Sequence, residues 1–263
     1  MTRGRAVRAG RVVVPFLALS MAAAACKGAT PAPSPAESLS PAATVPVAAP
    51  SGSASAAPAL QPGVTYAAVP RERYLPIYRR PGATDSAFLL DTENGTGRLA
   101  PLLVVDHRGL RGRLWLQLQL PLRPNGLTGW AIPEDVHLVP RDQEIVVDLS
   151  SRILRRIVDG RVTDRLHVGV GMASTPTAVG TFFVWVKVSY ADPASPYGPF
   201  ALGLSGFSPV LSEWPGEGRM AIHGTSNPYD RGREVSHGCV RVYNPQLLAL
   251  RDVPLGTPVV IRR

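Results

Sequence analysis

Cysteine is nearly missing from this chain: only Cys26 and Cys239 occur in 263 residues. A disulfide framework needs several, and no Cys-x-x-Cys pair is present, so neither bridges nor a structural zinc knuckle define the fold. A long apolar run is missing too. The stretch Val12 to Ala25 has fourteen residues, short of the roughly 20 that a membrane-spanning helix needs. Acids are fewer than bases, 19 against 28, for a net charge of +9. The bases form no stripe interleaved with aromatics, which make up only 6%, and no nucleic-acid motif is recognisable. No nucleic-acid partner is expected.

The N-terminal quarter is rich in small residues and proline. Arg3, Arg5, Arg8 and Arg11 precede the apolar run, and Ala23-Ala24-Ala25 precede Cys26, which reads as an export signal over 1–26. Cys26 stands where a bacterial lipoprotein carries its lipid. The usual leucine three places earlier is Ala23 here, with Leu17 and Leu19 further back, and plain secretion after an Ala-x-Ala site is the alternative. Loss of the four arginines leaves 24 bases against 19 acids, or +5, a surplus suited to anionic wall polymers or lipid head groups. Residues 27–63 carry Pro31, Pro33, Pro35, Pro41, Pro46, Pro50, Pro58 and Pro62 among Ala, Ser and Thr. With few large apolar side chains to offset the entropy of ordering, they read as a disordered tether.

Residues 64–140 predict a first β unit. Short runs at Leu75–Tyr78, Phe88–Asp91, Leu99–Val105, Leu114–Leu120 and Thr128–Ile132 are separated by turn-formers at Arg80-Pro81-Gly82, Asn94-Gly95, Arg108-Gly109 and Asn125-Gly126,. Leu114-Trp115-Leu116-Gln117-Leu118 with Gly129-Trp130-Ala131 resembles a bacterial SH3-like barrel. Trp115 and Trp130 are expected in its core. His107 and His137 are given no role.

Residues 141–263 predict a second, mainly β unit, a sandwich or barrel. Strands are expected at Glu144–Leu149, Ile153–Val158, Arg165–Gly169, Gly180–Val188, Met220–His223 and Pro258–Ile261, and a helix over Asn244–Arg251 with Asn244 as N-cap,. Ser189 to Gly218 reads as a long irregular loop. Its Tyr197 and Trp214 are candidates to contact substrate, though either could simply pack within the loop.

The chemistry concentrates at Ser236-His237-Gly238-Cys239-Val240-Arg241, with His223-Gly224 sixteen positions ahead of the thiol. A free thiol, with a pKa near ~8.5, is mostly protonated at neutral pH, so a nucleophilic cysteine needs a neighbour that takes its proton. Histidine both takes it and returns it to a leaving amine. The amides of Gly224, Gly238 or Cys239 could form an oxyanion hole. A structural thiol with two unrelated histidines is the bland alternative. Zinc held by Cys239, His237 and His223 is a third reading, disfavoured because no Cys-x-x-Cys or His-x-x-x-His pair supplies the usual ligand spacing,. A disulfide to Cys26 would consume the nucleophile.

His223-Gly224-Thr225, a short Gly-bearing loop, and then Ser236 to Arg241 resemble the signature of the L,D-transpeptidases, YkuD-like cysteine enzymes that cross-link bacterial peptidoglycan. Thr175-Pro176-Thr177-Ala178-Val179-Gly180-Thr181-Phe182 resembles the family's Thr-Pro-x-Gly-x-Phe segment, with a longer interval before the glycine. The resemblance implies Cys239 as acylated nucleophile and His223 as base and acid, oriented by the backbone carbonyl at Gly224. Ser236, His237 and Gly238 would shape the site, and Arg241 would organise the loop or attract a substrate carboxylate. It further implies stem peptides as substrate and carbapenems as inhibitors; no cofactor is expected, and the N-terminal signal predicts a location in the cell envelope, facing the wall or periplasm. An L,D-carboxypeptidase of the same fold and a non-catalytic wall-binding protein are the other functions these residues allow.

Overall fold

The computed structural model describes residues 60–192, 194–213 and 217–263. The export signal, Cys26, the tether up to residue 59, and Trp214 lie outside the described residues. None of the described helices is long and apolar enough to cross a membrane.

The first sheet is antiparallel throughout. Its strands are β1 (Thr65–Pro70), β4 (Leu102–Leu110), β5 (Arg113–Gln119), β6 (Thr128–Ala131) and β7 (Val136–Arg141), in the order β6-β5-β4-β1-β7, and a separate hairpin joins β2 (Tyr74–Ile77) to β3 (Phe88–Asp91). The sequence pattern missed β1 and β7, whose prolines, Pro70 and Pro140, weaken a strand reading. Pro140 is tolerated because β7 is an edge strand, where a missing N–H breaks no second ladder,. Arg108-Gly109 is not a turn but part of β4. The turn lies at Arg111 and Gly112, both at positive φ (51° and 76°), the two-residue hairpin geometry whose twist matches its strands. Trp115 and Trp130 are buried.

The second sheet closes on itself. It is built from β8 (Gln143–Asp148), β9 (Ile153–Val158), β10 (Arg161–Gly171), β11 (Gly180–Ser189), β12 (Phe200–Phe207), β13 (Arg219–Thr225), β14 (Glu234–Ser236), β15 (Val240–Tyr243) and β16 (Pro258–Arg262). The order is β14-β10-β15-β13-β12-β11-β16-β8-β9, and pairing of β9 with β10 completes a barrel. The protein is therefore mainly β, as its sequence predicts. One correction concerns the expected loop after Ser189, which contains β12. All eight residues of Phe-Ala-Leu-Gly-Leu-Ser-Gly-Phe are buried, so the strand shows no polar alternation to read.

The helix is also shorter than expected. Helix α1 spans Asn244–Leu247 and gives way to a 3-10 turn at Leu248–Leu250; Tyr243 is the N-cap, and no side chain caps it. Asn244 sits inside the helix with its Oδ1 buried and unpartnered among the described residues.

Residues 60–263 pack as one compact unit, and β11 explains how. Its Phe182 and Val184 point into the barrel core, while the alternating Phe183 and Trp185 join the core of the first sheet,. Burying two aromatics of this size stabilises the seam by several kcal/mol, at about 2–3 each.

Candidate active site

Parallel pairing of two strands builds the site. β13 and β15 lie in register with Ile222 opposite Val240 and His223 opposite Arg241. Cys239, the residue just before β15, therefore stands beside Ala221, whose backbone hydrogen-bonds the thiol. Sixteen residues of separation collapse to one strand across and two residues along the ladder.

His223 is buried, and its Nδ1 lies 2.8 Å from the Gly224 carbonyl. A carbonyl oxygen only accepts, so Nδ1 carries the proton and Nε2 keeps the lone pair. The Tyr197 ring packs edge-on against the imidazole at 5.1 Å and stacks on Tyr190 at 5.4 Å. Its carbonyl accepts the Gly224 amide at 2.8 Å.

The cysteine loop is fixed by its own hydroxyl. Ser236 Oγ donates to the Cys239 carbonyl at 2.5 Å and accepts the Gly238 amide at 3.2 Å. Gly238 has φ 115°, a backbone shape that side-chain-bearing residues avoid. The Thr-Pro segment supports the loop from behind: Thr175 Oγ1 and the Met172 amide donate to the Ser236 carbonyl at 3.1 and 3.0 Å. Of the three amides considered for an oxyanion hole, those of Gly224 and Gly238 are committed to Tyr197 and Ser236. The Cys239 amide is the remaining candidate.

The structure adds Asp230, which the sequence reading passed over as loop. It is buried and accepts from Thr225 Oγ1 at 2.8 Å, Asn227 Nδ2 at 2.9 Å and Arg241 Nη1 at 3.2 Å. Arg241 is thus held by an ion pair while keeping some exposure toward the cavity. The signal was available in Asn227-Pro228-Tyr229-Asp230: an Asn whose side chain accepts the amide two residues on, at 3.1 Å, starts a single 3-10 turn that ends on Asp230,.

These residues share a cavity of about 250 Å³, lined among others by Tyr197, His223, Ser236, His237, Cys239 and Arg241. His237 lies on its exposed side. Among the described residues, no group of three His, Cys, Asp or Glu side chains is placed to hold a metal.

Burial controls the electrostatics. It lowers the His223 pKa to about 4, with the Arg241 charge assisting and the Gly224 bond and Asp230 opposing. It also pushes the Cys239 thiol up, against the Ala221 hydrogen bond and Arg241. Both shifts favour the uncharged forms, a protonated thiol and a neutral imidazole,.

Stability should follow from the same shift. Between about pH 4 and 6.5 the unfolded His223 binds a proton that the folded one refuses, so stability falls as pH drops through that window,. The full loss is roughly 3 kcal/mol. Urea unfolding at pH 7 and pH 4.5 should show a larger drop for wild type than for His223→Gln; equal drops would contradict the burial argument.

The fold and pocket define a class: a closed β-barrel with a cysteine and an oriented imidazole at adjoining strand ends. Comparison with known proteins makes it specific, and the chain belongs to the L,D-transpeptidase family. The L,D-transpeptidase catalytic domain (YkuD) family matches residues 142–261. YkuD of Bacillus subtilis is 31% identical over 130 residues, 49% of this chain and 70% of that protein. YkuD of Bacillus licheniformis is 34% identical over 118 residues, 44% of this chain and 64% of that one. Among solved structures, the catalytic domain of the Enterococcus faecium L,D-transpeptidase acylated by ertapenem is similar at 28% identity, covering 46% of this chain and 98% of that domain with a TM-score of 0.36.

Proposed function

We propose that this protein is a peptidoglycan L,D-transpeptidase that works through a thioester on Cys239. The observation that carries the reading is the commitment of His223 Nδ1 to the Gly224 carbonyl, inside the cavity that also holds Cys239. It leaves Nε2 as the acceptor for the thiol proton.

As Cys239 Sγ attacks the carbonyl carbon of a stem-peptide amide, its proton passes to Nε2. The developing oxyanion is met by the Cys239 amide. His223 then returns the proton to the nitrogen of the departing D-amino acid, the C–N bond breaks, and a thioester remains. The amine of a second stem attacks that thioester, His223 takes its proton, and the thiol is released as the cross-link forms. Water in place of the amine would give carboxypeptidase activity from the same intermediate. A carbapenem, whose strained ring amide is an activated acyl donor, enters at the first step and stays on the sulfur.

The sequence of 1–63 supports an exported protein facing the cell wall, held by a tether and, where Cys26 is lipidated, by a lipid anchor. The five-stranded first sheet would act as an SH3-like spacer or wall-binding unit. The test is intact-mass measurement of the wild-type protein with a carbapenem, followed by peptide mapping. A single adduct on the peptide carrying Cys239 is the expected result. No adduct, or one mapped elsewhere, would remove Cys239 as nucleophile.

A further inference from the structure

We infer that Arg123 and Asn125, on the β5–β6 loop of the first sheet, are positioning residues for the catalytic cavity and set its grip on the stem peptide. The proposal rests on the transpeptidase reading and extends it to residues outside the matched family region, 142–261. One wall of the cavity is made by Ser208 and Leu211, just after β12, and by Gly218 and Arg219, where β13 begins. The barrel supplies only part of what holds this wall: the Ser208 amide donates to the Gly218 carbonyl at 2.7 Å, and Ser208 Oγ accepts the Val210 and Leu211 amides at 3.3 and 3.1 Å.

The first sheet supplies the rest. Arg123 Nη1 donates to the Ser208 carbonyl at 3.1 Å, and Nη2 to the carbonyls of Leu211 and Glu217 at 2.8 and 2.6 Å. One rigid guanidinium fork therefore ties both sides of the wall together, a task the point charge of lysine does not reproduce. Asn125 pairs with Phe207 as a strand neighbour would, with Nδ2 donating to its carbonyl at 2.7 Å and Oδ1 accepting its amide at 2.8 Å. Phe207 is buried with the Arg123 and Arg219 guanidinium carbons 4.6 and 4.3 Å from its ring centre. Arg219 reciprocates, donating to the Pro121 carbonyl at 3.4 Å.

Three carbonyls taken by one side chain leave the wall dependent on it. Neither Arg123 nor Asn125 lines the cavity, so loss of either would loosen the surface that a stem peptide lies against while leaving Cys239 and His223 in place. A role for the first sheet as spacer alone would need none of these bonds.

The test uses the full chain and three variants: Arg123→Ala, Arg123→Lys and Asn125→Ala. Arg73→Ala is the control, since it removes an exposed ion pair with Asp91 at the separate β2–β3 hairpin and does not touch the wall. Transpeptidation is measured with a stem tetrapeptide donor, together with hydrogen exchange at residues 208–211. Arg123→Ala is expected to raise the donor KM about tenfold with kcat within about twofold, and to lose exchange protection at 208–211 while β13 keeps its own. Lysine should recover little, and Asn125→Ala should shift KM in the same direction. Wild-type KM and exchange in both Arg123→Ala and Asn125→Ala, or an equal KM change in Arg73→Ala, would overturn the proposal. Carbapenem acylation of the wild type separates the two levels: without it the transpeptidase reading fails, whereas with it and an unmoved KM only the clamp fails.

Discussion

Cys239→Ala is expected to abolish cross-linking and carbapenem adduct formation, a loss on the order of 10⁴–10⁶ in turnover, without unfolding the protein. The size follows from the covalent role. No other described cysteine lines the cavity, and the Ser236 hydroxyl is committed to the backbone of its own loop. The fold should survive because Cys239 makes no disulfide among the described residues and the loop is held by Ser236 and Thr175. His223→Ala should fall by about 10²–10⁴, since the thiol loses its proton acceptor yet keeps the Cys239 amide for the oxyanion. The two losses should not add: with no nucleophile there is nothing for the base to activate, so the double variant should match Cys239→Ala. Single-turnover acylation with circular dichroism decides this. Residual cross-linking in Cys239→Ala above a few per cent of wild type would count against the thioester route.

The thiol, its base and their loop glycines were readable because their chemistry sits in two short runs of sequence. What joins them was not readable. The ladder that sets Cys239 beside Ala221 depends on β15, a four-residue strand too short to show a period. Asp230 supports Arg241 from eleven residues away, and although Asn227-Pro228 marks its turn, no local pattern ties that turn to Arg241. β12 hid for the opposite reason, being apolar on both faces where an alternating pattern was sought. Asn244 illustrates a further limit: Asn-Pro is a sound helix-start signal, and the helix does begin there, but tertiary packing places the asparagine inside the first turn. Arg123 and Asn125 are more than 80 residues from the carbonyls they hold, and no local pattern encodes that distance.

Gly224→Ala should be nearly as damaging as loss of the base, although it removes no functional group. A Cβ built on Gly224 would overlap Asn244 Oδ1, lie 2.8 Å from the Gly198 Cα and 3.1 Å from the Tyr197 carbonyl. Two of those neighbours are backbone and cannot rotate away. The displaced atom would be the Gly224 carbonyl or its flanking peptide, and that carbonyl fixes the His223 tautomer. A shift near 1 Å in a catalytic group costs about 10² in rate, and overpacking a buried site costs about 1–3 kcal/mol of stability. Gly232→Ala is the comparison: its φ of 71° makes alanine strained, but no atom lies within 4 Å of the added methyl, so about 1 kcal/mol of stability should go with little effect on turnover. Adding Asn244→Gly to Gly224→Ala should recover only part of the rate, because the Gly198 backbone is still in the way. Wild-type turnover in Gly224→Ala would mean that the carbonyl does not orient the base.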